Sequence, residues 1–167
     1  MVEIDATLHG QEDVSQLMLS QKNRKTDMSN VIEIAKAPTI AYNDKNWDRV
    51  TDLFGAAGTY DEKPTQRRLQ GAEPIIDVWK GWATAFPDSK ATFVREFASG
   101  DTAIIEVVWK GTHTGPLLMP SGAIPPSNKS IELPACHVIE VQDGKVKNFT
   151  QYFDLLTLLT QIGAAKI

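Results

Sequence analysis

The chain has 167 residues, 42% of them apolar, and sets 17 Lys and Arg against 21 Asp and Glu for a net charge of −4. That length suits one domain burying roughly 70% of its unfolded surface, and the acidic balance, with no basic run longer than Arg67 and Arg68 or the scattered QKNRK of 21–25, argues against nucleic acid as a partner. No apolar run approaches the roughly 18 residues of a membrane span, and the acidic opening MVEIDATLHGQEDV is unlike a secretory signal, so the expectation is a cytoplasmic protein without a membrane partner.

In chain order, residues 1–27 are polar and short of large aromatics; they read as an N-terminal appendage, with a short amphipathic helix in EDVSQLMLSQK, ahead of a domain spanning 28–167. Ser29 or Asn30 can cap a helix through Val31, Ile34, Ala35, Ile40 and Ala41, which Pro38 must kink. A second helix follows at NWDRVTDLF, then GAAGTYDEKP as a loosened turn and a short edge strand ended by Pro64. GAEPIIDVWKGWATAF is a third helix, with Pro74 in its first turn and Ile75, Val78, Trp79 and Trp82 at three- and four-residue steps.

Beyond Pro87 the period becomes two. Strands are expected near 90–98, 102–113, 130–141 and 145–153, with hairpin turns at SGD (99–101) and QDGK (142–145), and then a short helix, LLTLLTQI, ended by Gly163. Helices first and antiparallel strands after give an α+β fold with a curved sheet against the helices. The long loop GPLLMPSGAIPPSN is apolar enough to lie over a cavity mouth.

Alternation sorts the strand residues by face. Ala103, Ile105, Val107, Trp109, Gly111 and His113 share the buried face of one strand, and Ile131, Leu133, Ala135, His137, Ile139 and Val141 that of the next. In the last strand, taking Lys147 and Gln151 as outward places Asn148, Thr150, Tyr152 and Asp154 in an inward polar stripe, which burial would make costly without partners or a ligand. The expected constellation is Trp109, His113, His137, Tyr152 and Asp154 in a concave apolar wall, with Trp82 from the third helix. Its chemistry would be general acid/base work by a desolvated carboxylate or imidazole. Two uses of Asp154 stay open: catalysis, and capping of the helix that begins at Leu155. Cys136 reads as a buried structural thiol. His113, His137 and a carboxylate match no metal-ligand spacing, and the chain has no G-x-S-x-G, P-loop or G-x-G-x-x-G.

GAEPIIDVWKGWATAFPD, GTHTGPL, IPPSNKSIEL and VIEVQDGKVKNFTQYFDLLTLLTQIG together resemble the SnoaL-like polyketide cyclases, within the nuclear transport factor 2-like and ketosteroid isomerase-like superfamily, over about residues 29–163. The resemblance implies a cone-shaped, cystatin-like α+β barrel around an apolar pocket, about three N-terminal helices plus a short C-terminal one, and a homodimer through the outer sheet face, to which Phe149 and Phe153 would contribute. It also implies a cofactor-independent aldol cyclase or isomerase acting on a hydrophobic carbonyl compound. The family's acid/base aspartate falls on Asp154 and its pocket histidine on His113; joined to the faces read above, this gives Asp154 as the acid/base, His113 or His137 bonding the enolate oxygen, and Trp82, Trp109, Asn148, Thr150 and Tyr152 contacting the substrate. A non-catalytic binder of an apolar small molecule is the alternative. The superfamily's epoxide hydrolases use an Arg-x-Asp that these strands lack.

Overall fold

The first helix, α1 (Thr7–Asn43), runs without interruption across the expected division at residue 27, so no new helix begins at Ser29 or Asn30, and it carries Pro38 inside it. The computed structural model describes residues 7–119 and 122–165, with the side chains of 7–13 and 22–26 left aside; the first six residues of the expected appendage lie outside it. Along α1, Val14, Leu17, Met18 and Leu19 are exposed, and burial begins at Val31.

Asn46 caps α2 (Trp47–Phe54) by accepting from the Arg49 N–H at 3.1 Å. Its Val50 and Phe54, four residues apart, bury one face. β1 (Thr59–Glu62), a 3-10 turn (Lys63–Thr65) and β2 (Arg67–Gln70) then form a hairpin the sequence reading reduced to one edge strand. α3 (Ala72–Ala85) buries Ile75, Ile76 and Trp79. β3 (Lys90–Ser99), β4 (Thr102–Thr112), β7 (Ser130–Gln142) and β8 (Lys145–Phe153) match the expected strands to within a residue or so. Within the long loop, β5 (Leu117–Met119) and β6 (Gly122–Ile124) pair as a small separate sheet. Its Leu117 is buried beside Phe86 and Leu158. α4 (Leu155–Gln161) closes the chain, with Gly163 following at φ 78°.

The main sheet has the order β2-β1-β8-β7-β4-β3, antiparallel throughout except that β1 runs parallel to β8. β2 and β3 are its free edges, so the sheet curves without closing. The curvature has a local cause. An extra residue, Val94, bulges from β3 between Phe93 and Arg95, and another, Lys147, bulges from β8 opposite the Glu140 to Val141 step. The concave face holds one core, centred on Trp79, whose ring meets those of Tyr42, Phe54, Tyr60 and Phe149 at 5.7 to 5.9 Å.

The bulge at Lys147 also corrects the face assignment of β8. Val146 points inward, but one extra residue moves the alternation by one position, so Phe149, Gln151 and Phe153 face the concave side. Asn148, Thr150, Tyr152 and Asp154 therefore do not form an inward stripe, and Phe149 and Phe153 are not outer-face residues. Cys136 is corrected as well: it lies half-buried on the outer face, where burial and the neighbouring Glu106 raise its pKa.

Candidate functional site

Between the concave face and helices α1, α3 and α4 lies a cleft walled mainly by aromatic rings. Its empty space, mouth included, is about 600 Å³, of which only about 60 Å³ is wide enough for a water-sized sphere. Ligand pockets commonly reach about 300 Å³ or more, so the interior as it stands is narrower than such a pocket, and a ligand larger than a few atoms would have to part the side chains that line it. Two polar poles interrupt its apolar lining.

One pole is built on β1. Tyr60 and Glu62 alternate inward, and the parallel register sets Tyr60 beside Phe149 and Glu62 beside Gln151. Glu62 is the only carboxylate buried among the described residues, at 0% exposure. Four donors surround it: one oxygen accepts from the Tyr60 hydroxyl at 2.8 Å and the Trp82 indole N–H at 3.0 Å, the other from the Thr65 hydroxyl and from Arg67 at 3.3 Å. A buried carboxylate needs such company, since unpaired it would neutralise. Tyr60 also donates to the Gln151 side-chain oxygen at 3.3 Å. Burial first, then the charge of Glu62, holds the Tyr60 pKa well above its ordinary value, so the phenol stays protonated. Tyr60, Trp82 and Gln151 line the cleft, and Glu62 stands directly behind them.

The other pole lies where α1 meets β4. Tyr42 and Ser89 share a hydroxyl bond of 2.9 Å, and the Tyr42 ring meets Trp109 edge-on at 5.0 Å. The buried Trp109 Nε1 has no acceptor among the described groups.

Asp154 ends β8 outside the cleft and is exposed. Its Oδ1 accepts from the Leu156 and Thr157 N–H groups at 2.9 and 3.2 Å, and its Oδ2 from the Thr157 hydroxyl at 2.7 Å. The Thr157 hydroxyl and these backbone bonds hold its pKa below the ordinary carboxylate value. Tyr152 is 46% exposed and borders an outer-face groove with Asp154 and Cys136. Asn148 accepts from the Thr59 hydroxyl and donates to the Thr150 hydroxyl, beside the β1 edge of β8, and neither residue lines the cleft. Trp82 and Trp109 do line it.

Both expected histidines are inward and fully buried. His137 packs 4.8 Å from the Phe149 ring and bonds Thr39 through Nδ1 at 3.4 Å; burial pulls its pKa down to about 3, so it is neutral. His113 stacks on Phe86 at 5.0 Å and bonds Ser127 through Nδ1 at 3.1 Å, while its backbone pairs with Asn128 and Lys129. It ties down the end of the long loop, and burial lowers its pKa too. Neither lines the cleft, so the structure does not gather Asp154, His113, His137 and Tyr152 into one site.

Sequence reading missed Tyr60 and Glu62. The signal available was alternation in TYDE, which sets both on one face, but reading the segment as an edge strand gave that face no core to meet.

Among the described residues no group of His, Cys, Asp and Glu has the arrangement of a metal site, and no helix is long and apolar enough to cross a membrane.

The family profile described as SnoaL-like polyketide cyclase matches residues 33–162. Among solved structures, a protein of SnoaL-like polyketide cyclase type from Jannaschia sp. CCS1 is similar at 19% identity and TM-score 0.74, covering 84% of this chain and 96% of its own. A Catenulispora acidiphila protein with a ketosteroid isomerase-like fold is 22% identical with TM-score 0.66, over 78% of this chain and 92% of that one. An LEH-like epoxide hydrolase from M. tuberculosis is 17% identical with TM-score 0.62, over 81% and 90%. At these identities the likeness is one of fold. A comparison with curated protein sequences finds no match.

Proposed function

The chain belongs to the SnoaL-like polyketide cyclase family, and on that premise we propose that it acts on a compact hydrophobic carbonyl compound by cofactor-independent proton transfer of the aldol-cyclase or isomerase type. The observation that carries this reading is the buried Glu62 behind the cleft wall, set among donors that reach into the cleft. A carboxylate there can take a proton from the carbon next to a carbonyl. Tyr60 and Trp82 each donate their one proton to Glu62 in the resting site; as the carboxylate takes the substrate proton and loses its charge, these two donors would turn to the oxygen that gains it. Asp154, the residue the family resemblance marks, keeps the role of helix cap in this reading, because both its oxygens are engaged outside the cleft.

The test is turnover on a panel of one- and two-ring diketones. Glu62→Gln is expected to lower it by about 10²–10⁴-fold, the usual contribution of a positioned acid/base, with Glu62→Asp, which keeps the charge but withdraws it by one methylene, in between. Parent-level turnover in a folded Glu62→Gln protein would refute the assignment.

A second reading, a non-catalytic binder of the same kind of molecule, is favoured by one feature: the Glu62 oxygens are already occupied by four donors. It predicts that the parent binds members of the panel without converting any. We also propose a homodimer through the outer sheet face, where Val94, Phe97 and Ile104 stand exposed.

A further inference from the structure

We infer that the pole remote from Glu62 is an oxygen-anchoring subsite, with the Trp109 indole N–H as its principal donor, so that the molecule this cone accepts carries two oxygen functions on opposite sides of a compact apolar skeleton. The inference rests on the reading of the cleft as a small-molecule site and adds to it the functional group that this pole would select.

Three observations carry it. First, Trp109 Nε1 is buried, belongs to a residue lining the cleft, and has no acceptor among the described protein groups. A buried donor left unmatched costs about 1–3 kcal/mol, so such a group points to an acceptor supplied by whatever fills the cleft. Second, the adjoining Tyr42 and Ser89 hydroxyls spend one proton on their mutual 2.9 Å bond. The remaining hydroxyl proton is free to donate to a third oxygen. Burial pushes the Tyr42 pKa up to about 12, so that proton stays in place. The pole therefore offers two neutral donors to the cleft. The neighbouring Lys45 ammonium lies outside the lining and is engaged with the Ser89 backbone oxygen at 3.0 Å and the Tyr42 ring at 4.1 Å, so the donors facing the cleft match a carbonyl or ether oxygen better than an amine.

Third, an aromatic band joins the two poles: the Trp79 ring packs against a tyrosine of each, 5.9 Å from Tyr42 and 5.7 Å from Tyr60, and Phe149 packs against it at 5.8 Å. An oxygen seated at Trp109 is thus held by an aromatic band away from Glu62, and serves to orient the skeleton while proton transfer takes place at the other end. Trp109 acts here as a binding and specificity residue. Its contact would raise affinity for ligands with the second oxygen and leave intrinsic reactivity at Glu62 unchanged.

The experiment compares two probes of one size, 1,4-diacetylbenzene with two carbonyl oxygens and 4-ethylacetophenone with one, by calorimetric titration of the parent, Trp109→Phe and, as a control outside the cleft, Asp154→Ala. The parent is expected to bind the diketone about tenfold more tightly than the monoketone, the discrimination that one buried hydrogen bond supplies. In Trp109→Phe, which keeps an aromatic ring and removes the N–H, that ratio should fall to near one through loss of diketone affinity, with the monoketone, seated by its one oxygen at the Glu62 pole, nearly unchanged. Asp154→Ala should keep the ratio. Tyr42→Phe supplies the same comparison, with a smaller fall, should Trp109→Phe not fold. A ratio untouched by Trp109→Phe, or a parent with no preference for the diketone, would overturn the subsite while leaving the small-molecule reading standing. Binding of neither probe by the parent would sink that reading as well.

Discussion

His137 makes stability depend on pH in a calculable way. The ring is fully buried, bonds Thr39, and is packed against Phe149 and Trp109, and among the described residues it has no charged partner to compensate a proton on it. Desolvation therefore depresses its pKa from 6.5 to about 3. In the unfolded chain the imidazole titrates near its ordinary value and binds a proton that the native state refuses. The native state is thus penalised as pH falls below about 6.5, at up to about 1.4 kcal/mol per pH unit, until native protonation begins near pH 3. Between about pH 7 and about pH 5 the integrated loss from this one group is about 2 kcal/mol.

The perturbation is His137→Phe, which keeps a ring in the apolar cage and removes the titration. The assay is urea unfolding of parent and variant at both pH values, read as a difference of differences. Asp88 and Asp154, whose pKa values are lowered by hydrogen bonds, and His113, lowered by burial, also lose native stabilisation on acidification. They do so equally in both proteins and cancel. Parent stability should fall by about 2 kcal/mol more than that of the variant. An equal fall would mean that His137 can be protonated in the native state, and the argument for a neutral, desolvated imidazole would collapse.

Two further predictions follow from the placements of Asp154 and of the outer face. Asp154→Ala removes three bonds at the start of α4 and should lower Tm by about 2–4 °C while leaving turnover on the diketone panel at the parent level; a turnover loss matching that of Glu62→Gln would restore Asp154 as the working carboxylate. Ile104→Lys puts a charge beside Phe97 and Val138, its register partners on the exposed sheet face, and should convert a dimer to a monomer by sedimentation velocity without changing Tm by more than a few degrees; an unchanged sedimentation coefficient would place any dimer contact elsewhere.

The strands were most legible where one face alone is buried. In β4 and β7 every buried residue belongs to the odd-numbered set foreseen from alternation, with Trp109 half-buried at the cleft and His113 just past the end of β4, because both strands lie inside the sheet with the core on one side and the outer face on the other. The long loop was legible as apolar but not as a β5–β6 pair, since three-residue strands are too short to show a period. Tyr60 and Glu62 were hidden for a different reason. Their strand is enclosed by β2 and by β8, and the β8 partner lies nearly 90 residues away in parallel register, a contact no local pattern reports. The Trp82 N–H that reaches Glu62 sits on the helical face already assigned to packing, so the same side chain packs through its ring and donates through its edge.

The two pulls on Asp154, capping and apolar burial, are decided by one inserted residue. Without the bulge at Lys147, alternation from the buried Val146 would carry Asn148, Thr150, Tyr152 and Asp154 to the concave side, and Asp154 would meet the cleft as a desolvated carboxylate. With the bulge, Phe149, Gln151 and Phe153 take those places, and the carboxylate emerges at the exposed N-terminus of α4, where backbone N–H groups and Thr157 lower its pKa. The same shift brings Gln151 into the cleft beside Glu62, within reach of the Tyr60 hydroxyl. Moving the polar stripe outward is thus what joins β8 to the β1 pole, and the search for a working acid in this fold is directed to the strand that pairs with β8 rather than to its end.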